Sequence, residues 1–186
     1  MISFARRKSL RAAADLAYRR VVEQARLPVF FAEWGVPDTL DGRFELVCLH
    51  AFLYLHRLKS EQKRAKSVAQ AFFDTMFADF DRSLREIGTG DLRVGSEVKR
   101  MAQAFYGRVR AYQNGIAADD AVLAAALARN LFATAASPVP GLEPMAVYLR
   151  RSAAALERQK AEELLAGRIR FALPAASGPM PADPRR

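Results

Sequence analysis

Cysteine occurs once in this chain, as Cys48, which excludes an intramolecular disulfide and fits a reducing compartment. Histidine occurs twice, as His50 and His56. Six residues apart on a helix, the two are separated by about 240° around the axis and cannot grip one ion. Cys48 and His50, two apart, point to nearly opposite sides, so a zinc site is excluded and both histidines are expected to face solvent or make a single hydrogen bond. Long hydrophobic runs are also missing. The longest stretch without a charged side chain, Asn130 to Leu142, contains two prolines, whereas a spanning helix needs roughly 18 apolar residues. Lysine is scarce as well, with 6 against 23 arginines.

What is present is a globular composition: 186 residues, 51% of them hydrophobic and 26% charged, with a formal charge of +9. That is room for one domain with tails. The basic excess points to an anionic partner without naming one. Five of the nine net positive charges fall in Met1–Arg26, where no apolar core of signal-peptide length occurs. Asp15 and Glu23 interrupt any transit-peptide reading. Arg6, Arg7, Lys8 and Arg11 are the candidates for docking on an anionic surface, beside Ile2 and Phe4.

Amphipathic helices separated by glycine and proline fill the rest. Ser9 is expected to cap a first helix. Pro28 and Gly35–Thr39 interrupt it, with Phe30, Phe31 and Trp34 as core between them. Helices are then expected over about 43–58, 67–87 (stopped by Gly88), 96–112 (broken at Asn114-Gly115) and a stretch capped by Asp119 or Asp120 that ends near Phe132. A last helix is expected from Pro144 to about Ala166. No long run alternates with period two. The expected class is therefore all-α, a single-domain bundle of about six to seven helices. Residues 1–8 read as a basic N-terminal extension, 9–173 as the helical domain, and 174–186, with four prolines and no periodicity, as a disordered tail.

Catalytic patterns fail on inspection. Asp74, Asp79 and Asp81 lack the i, i+3 or i+4 step that holds a magnesium diphosphate, so an isoprenoid-processing enzyme is a distant reading. Gly90 and Gly95 have the spacing of a phosphate loop, but Ser96-Glu97 stands where Lys-Ser/Thr is required, and no strand precedes them. The chain is not expected to be an enzyme, and no metal or cofactor is expected.

Three segments in order carry a family pattern: Gly35-Val-Pro-Asp-Thr-Leu-Asp-Gly-Arg-Phe-Glu45 followed by Leu49-His50, then Phe73-Asp-Thr-Met-Phe-Ala-Asp-Phe-Asp81 with Leu84-Arg85-Glu86, and Gly88-Thr-Gly-Asp-Leu-Arg-Val-Gly95 with Val98-Lys99 and Ala104-Phe-Tyr-Gly-Arg108. Over roughly Leu16 to Asn130 the chain resembles the ubiquinol–cytochrome c chaperone family of respiratory complex assembly factors. It departs from that pattern at Ser96, where a basic residue would be expected. The resemblance implies a non-catalytic chaperone for newly made cytochrome b. In mitochondrial members it implies work near the ribosomal exit and the inner membrane with a small partner protein. The high Arg/Lys ratio and abundant alanine suggest a bacterial member, cytoplasmic and peripheral at the inner-membrane face. No small-molecule substrate and no DNA are expected.

The family-motif or partner-binding candidates are Pro37, Asp38, Thr39, Arg43 and Phe44 in the first motif. In the second they are Phe73, Asp74, Phe77, Asp79, Asp81 and Arg85, and in the third Asp91, Lys99, Phe105, Tyr106 and Arg108. Arg43 and Arg85 are expected to tie loops to Asp38, Asp74 or Asp91. Phe72, Phe73, Met76, Phe77 and Phe80, with Met101, Phe105 and Tyr106 on the next helix, serve equally as bundle core or as an apolar client groove; one edge of this helix pair is expected to be exposed and to bind client. The competing reading is a basic helical RNA- or ribosome-binding module, with Lys59, Lys63, Arg64 and Lys66 as one charge cluster and Lys99, Arg100, Arg108 and Arg110 as another.

Overall fold

The most apolar segment of the chain, Leu46–Leu55, has no charged side chain, and a helix apolar on all sides must be enclosed by others. In the computed structural model it is the middle of the central helix. The described residues are 4–175, with the side chains of Phe4 and Arg6 excepted, so the expected tail from 176 onwards lies outside them. Eight α-helices form among the described residues: α1 Phe4–Ala25, α2 Pro28–Ala32, α3 Leu40–Leu58, α4 Lys66–Glu86, α5 Asp91–Ala117, α6 Asp120–Asn130, α7 Leu142–Glu157 and α8 Ala161–Leu165. Six of them are long, and no strand occurs among the described residues. The all-α bundle expected from the sequence is what forms.

Helix α3 lies at the centre, with every residue from Glu45 to Tyr54 buried. Phe44 meets Phe80 at 5.3 Å and Tyr54 meets Phe72 at 5.1 Å, so α3 and α4 run antiparallel. Asp15 pairs with Thr75, and Tyr18 donates to Asp79 at 2.8 Å, so α1 runs parallel to α4. Helix α5 returns along α4, with Phe73 and Phe77 against Phe105. Helix α7 closes the other side of α3 through Tyr148 and His50. The aromatic cluster of Phe30 and Trp34 is core, wedged against Tyr148.

Several boundaries differ from the sequence reading for physical reasons. Helix α1 begins at Phe4, so Ser9 is an exposed interior residue rather than a cap. The Arg, Lys and Ala upstream are strong helix formers and carry the helix past it. Helix α5 begins at Asp91 and runs through Asn114-Gly115 to Ala117. Gly115 is a packing position, not a break: a Cβ there would stand 2.9 Å from the Leu123 Cα, so its absence lets α6 close on α5. The last expected helix is divided in two, with Arg158–Lys160 between α7 and α8. Gly88 stops α4 as expected, at φ 86°, with the Gly88 and Thr89 amides donating to the Arg85 and Leu84 carbonyls.

Between α3 and α4 the chain turns through a 3-10 segment, Lys59–Arg64, in which Gln62 takes φ 48° and ψ −121°. Glycine relieves that strain, at an entropic cost in the unfolded chain. Gln62→Gly is therefore expected to stabilise the protein by about 1 kcal/mol in urea unfolding, and a loss of stability would contradict the strain assignment.

Candidate functional site

Thr39 fixes the start of α3. Its hydroxyl accepts from the Gly42 amide at 3.1 Å, a side-chain N-cap. Asp38 is bound by Arg43 Nε at 2.7 Å across this turn, as expected, and both are exposed. The Arg43 guanidinium holds the Asp38 carboxyl below its usual range. This turn lifts Leu40 out of the fold, 52% exposed, one helical turn before Phe44. At the far end of α4, Ile87 precedes the Gly88 stop and is 59% exposed.

Leu40, Phe44, Leu84 and Met101 are shared by two adjoining clefts of about 240 and 250 Å³. One opens between α1, α3 and α4, with Ile87 at its edge and Arg26, Arg43, Asp79 and Glu86 around it. The other opens between α3, α5 and the end of α6, with Arg100, Arg108 and Arg129 around it. All three sequence motifs contribute to this region. It is an apolar floor with charged walls, the arrangement that accepts an apolar segment of another chain.

Arg108 and Glu45 are the structural pivot of the second cleft. Glu45 is 6% exposed. Arg108 Nε donates to both of its oxygens at 2.9 Å, and a second guanidinium nitrogen also donates to it. Burial pushes the Glu45 carboxyl up, while the guanidinium pulls it back. The same guanidinium lies over the Phe44 ring at 5.9 Å.

Of the two roles open to the apolar side chains of α4 and α5, most take the core one. Phe72, Met76, Phe77, Phe80 and Phe105 are buried, because α5 and α3 close on α4 from two sides. One edge stays open, as expected: Phe73, half-buried, is stacked at 5.7 Å on Tyr106, which is 58% exposed, and Met101, half-buried, reaches both clefts. Further open apolar surface lies at the end of this helix pair, in the two clefts. Leu40, Leu84 and Ile87 were not among the expected candidates. Leu40 and Ile87 had a signal, an apolar residue directly after a cap and another directly before a helix-stopping glycine, where no further helix turn covers them, whereas Leu84 is a buried member of the α4 stripe.

The remaining candidates are placed as follows. Pro37 is half-buried ahead of the cap. Asp79 accepts from Tyr18 and Arg82, Asp81 accepts from Arg85 at 2.8 Å, and Arg85 also pairs with Asp91. Asp74 takes the Gln70 amide at 2.8 Å rather than an arginine, contrary to one of the ties expected of it. Lys99 is exposed on α5. Arg7, Lys8 and Arg11 are exposed on α1, and the Arg6 side chain lies outside the described residues. No group of three or more His, Cys, Asp or Glu side chains placed to hold a metal occurs among the described residues. No helix among them is long and apolar enough to cross a membrane.

His50 corrects the sequence reading outright. It is 0% exposed and makes two hydrogen bonds, Nδ1 to the Leu46 carbonyl at 2.7 Å and Nε2 to the Tyr148 hydroxyl at 2.8 Å. A carbonyl only accepts, so Nδ1 carries the proton and the Tyr148 hydroxyl donates to Nε2. Gln24 in turn donates to Tyr148 Oη at 2.9 Å, which links α1, α3 and α7. His56 is half-buried with its Nδ1 unpartnered.

The chain matches the ubiquinol-cytochrome C chaperone family over residues 32–171. It is 30% identical over 156 residues to ubiquinol-cytochrome-c reductase complex assembly factor 1 of Xenopus laevis, covering 84% of this chain and 78% of that one. It is 26% identical over 149 residues to the mitochondrial protein CBP3 of Saccharomyces cerevisiae, covering 78% of this chain and 44% of the yeast protein. It spans about half (55%) of the Mus musculus assembly factor, at 29% identity. The crystal structure of the Cbp3 homolog from Brucella abortus superposes with a TM-score of 0.81 at 38% identity, over 90% of this chain and 93% of that one.

Proposed function

The chain belongs to the ubiquinol-cytochrome C chaperone family, and on that premise we propose that it is a non-catalytic assembly chaperone for the ubiquinol–cytochrome c oxidoreductase complex, holding newly made cytochrome b. The observation that carries the reading is the convergence of the three motifs on one apolar-floored region, with Leu40 and Phe44 from the first, Leu84 from the second, and Ala104 and Arg108 from the third beside Met101. Apolar segments of a membrane subunit are stabilised when such a floor removes them from water, at about 25 cal/mol per Å². The charged walls keep the empty cleft soluble. The bound species is a protein segment rather than a small molecule or DNA, and the chaperone works in the cytoplasm within reach of the inner membrane that receives the complex.

Deleting the gene tests this. Cytochrome b and the assembled complex should fall while other respiratory complexes stay at their normal level, and unchanged cytochrome b would overturn the proposal. Leu40→Asp and Ile87→Asp localise it. Both side chains are more than half exposed, so folding should be retained. Each introduced charge is expected to weaken client binding about thirtyfold, equivalent to about 2 kcal/mol. Co-purification of tagged variants with cytochrome b reads this, and undiminished recovery would move the client elsewhere.

A further inference from the structure

The scarcity of lysine makes its distribution informative. Three of the six lysines, Lys59, Lys63 and Lys66, fall within eight residues, at the turn between α3 and α4. All three are exposed; Arg64 is exposed too but is paired with Glu162 at 2.9 Å, so the lysines carry the net charge here. The one acidic residue in this turn, Glu61, faces inward, where Arg57 holds it at 2.9 Å. Because α1 runs parallel to α4, the same end of the molecule receives the first turns of α1, with Arg7, Lys8 and Arg11 exposed. An open trough of about 630 Å³ joins the two, with Leu10, Ala13 and Leu16 on one side, Lys63, Val68 and Leu165 on the other, and the Arg64–Glu162 pair at its wall. A second hollow, of about 450 Å³, lies across Lys63 and is floored by Leu55, Leu58, Ala65 and Ala69.

Positive charge drawn from two segments some fifty residues apart thus surrounds aliphatic hollows at one end of the bundle. We propose that this end is a docking surface for an anionic phospholipid bilayer. The lysines meet the headgroup phosphates, and the leucine, valine and alanine floor meets the acyl boundary. Charge complementarity selects an anionic partner. The lining selects lipid over nucleic acid, because neither hollow contains an aromatic side chain on which a base could stack. Lysine also serves as a point charge on a flexible stem, suited to mobile headgroups rather than to bidentate reading of a fixed edge.

The surface is separate from the client cleft. The basic end holds the C-terminus of α3 and the N-termini of α1 and α4, while the cleft holds their opposite ends. The 19 residues of α3 put the two about 28 Å apart at 1.5 Å per residue. Docking at one end leaves the other open, so this inference stands whether or not cytochrome b is the client.

Cosedimentation of the full chain with vesicles tests it. Binding is expected to vesicles of phosphatidylcholine mixed with phosphatidylglycerol, to be absent on pure phosphatidylcholine, and to weaken as salt rises. Lys59→Gln, Lys63→Gln and Lys66→Gln should each cost about fivefold, and together about a hundredfold, on the scale of roughly 1 kcal/mol per charge at such a surface. Circular dichroism should show the triple variant folded, because none of the three side chains is buried. Co-purification of cytochrome b with it should be unchanged. The proposal is overturned if the anionic vesicles bind no better than neutral ones, if the triple variant binds as the wild type does, or if a polyuridylate RNA displaces the protein from the vesicles.

Discussion

Arg108→Ala is expected to destabilise the protein by about 3–5 kcal/mol, the cost of leaving a buried charge without its partner. Glu45 loses the guanidinium that binds both of its oxygens and keeps its place in a nearly closed interior. Its carboxyl, already pushed up by burial, then rises further. A carboxyl whose folded pKa is raised favours the folded state most at low pH and loses that advantage as pH rises through the raised value. The stability gap between Arg108→Ala and wild type should therefore be widest at neutral pH and narrow on acidification, as Glu45 takes up a proton. Glu45→Leu with Arg108→Met, which replaces both charges by apolar groups of similar length, should recover most of the loss. Denaturant unfolding of the three proteins at two pH values measures this. A gap that is independent of pH would mean that Arg108 acts only through its packing on Phe44.

The pair also shows how far sequence could go. Arg108 stood out as a motif residue, and Glu45 ended another motif, but nothing in their spacing joins positions 63 apart. Helix spacing is legible in the sequence because period and caps are local. The stop at Gly88 and the six long helices follow from it. Which face of α4 is covered was not legible, because α4 is apolar over a wide arc and the order in which α3 and α5 close on it is a tertiary matter. Of the two roles open to them, Phe72, Phe77 and Phe80 took the core, the edge at Phe73 and Tyr106 stayed open, and further open apolar surface fell to Leu40 and Ile87 at the helix ends. Histidine failed for a related reason. A polar residue in the apolar stretch Leu46–Leu55 signals a buried partner, but the partner, Tyr148, lies 98 residues away.

That buried histidine carries the second large expectation, an acid limit on stability. Burial pushes the His50 pKa from its ordinary value of 6.5 down to about 4. The groups around it are the Leu46 carbonyl, the Tyr148 hydroxyl and the rings of Phe30 and Phe171, with no carboxylate among them to welcome a proton. The unfolded chain binds the proton first as pH falls, so the neutral imidazole contributes its full stability above about pH 6.5 and loses it progressively towards pH 4. At 1.36 kcal/mol per pKa unit, the loss from this one group reaches about 3 kcal/mol by pH 4. His50→Gln keeps a donor and an acceptor at the site without a titratable ring. It should be less stable than wild type at neutral pH, because the Leu46 and Tyr148 geometry fits the ring, yet lose less on acidification. Thermal unfolding of both proteins from pH 7 to pH 4.5 should show the two stabilities converging. Parallel decline would mean that the acid sensitivity belongs to surface carboxylates, and that the Gln24–Tyr148–His50 link binds its helices without sensing protons.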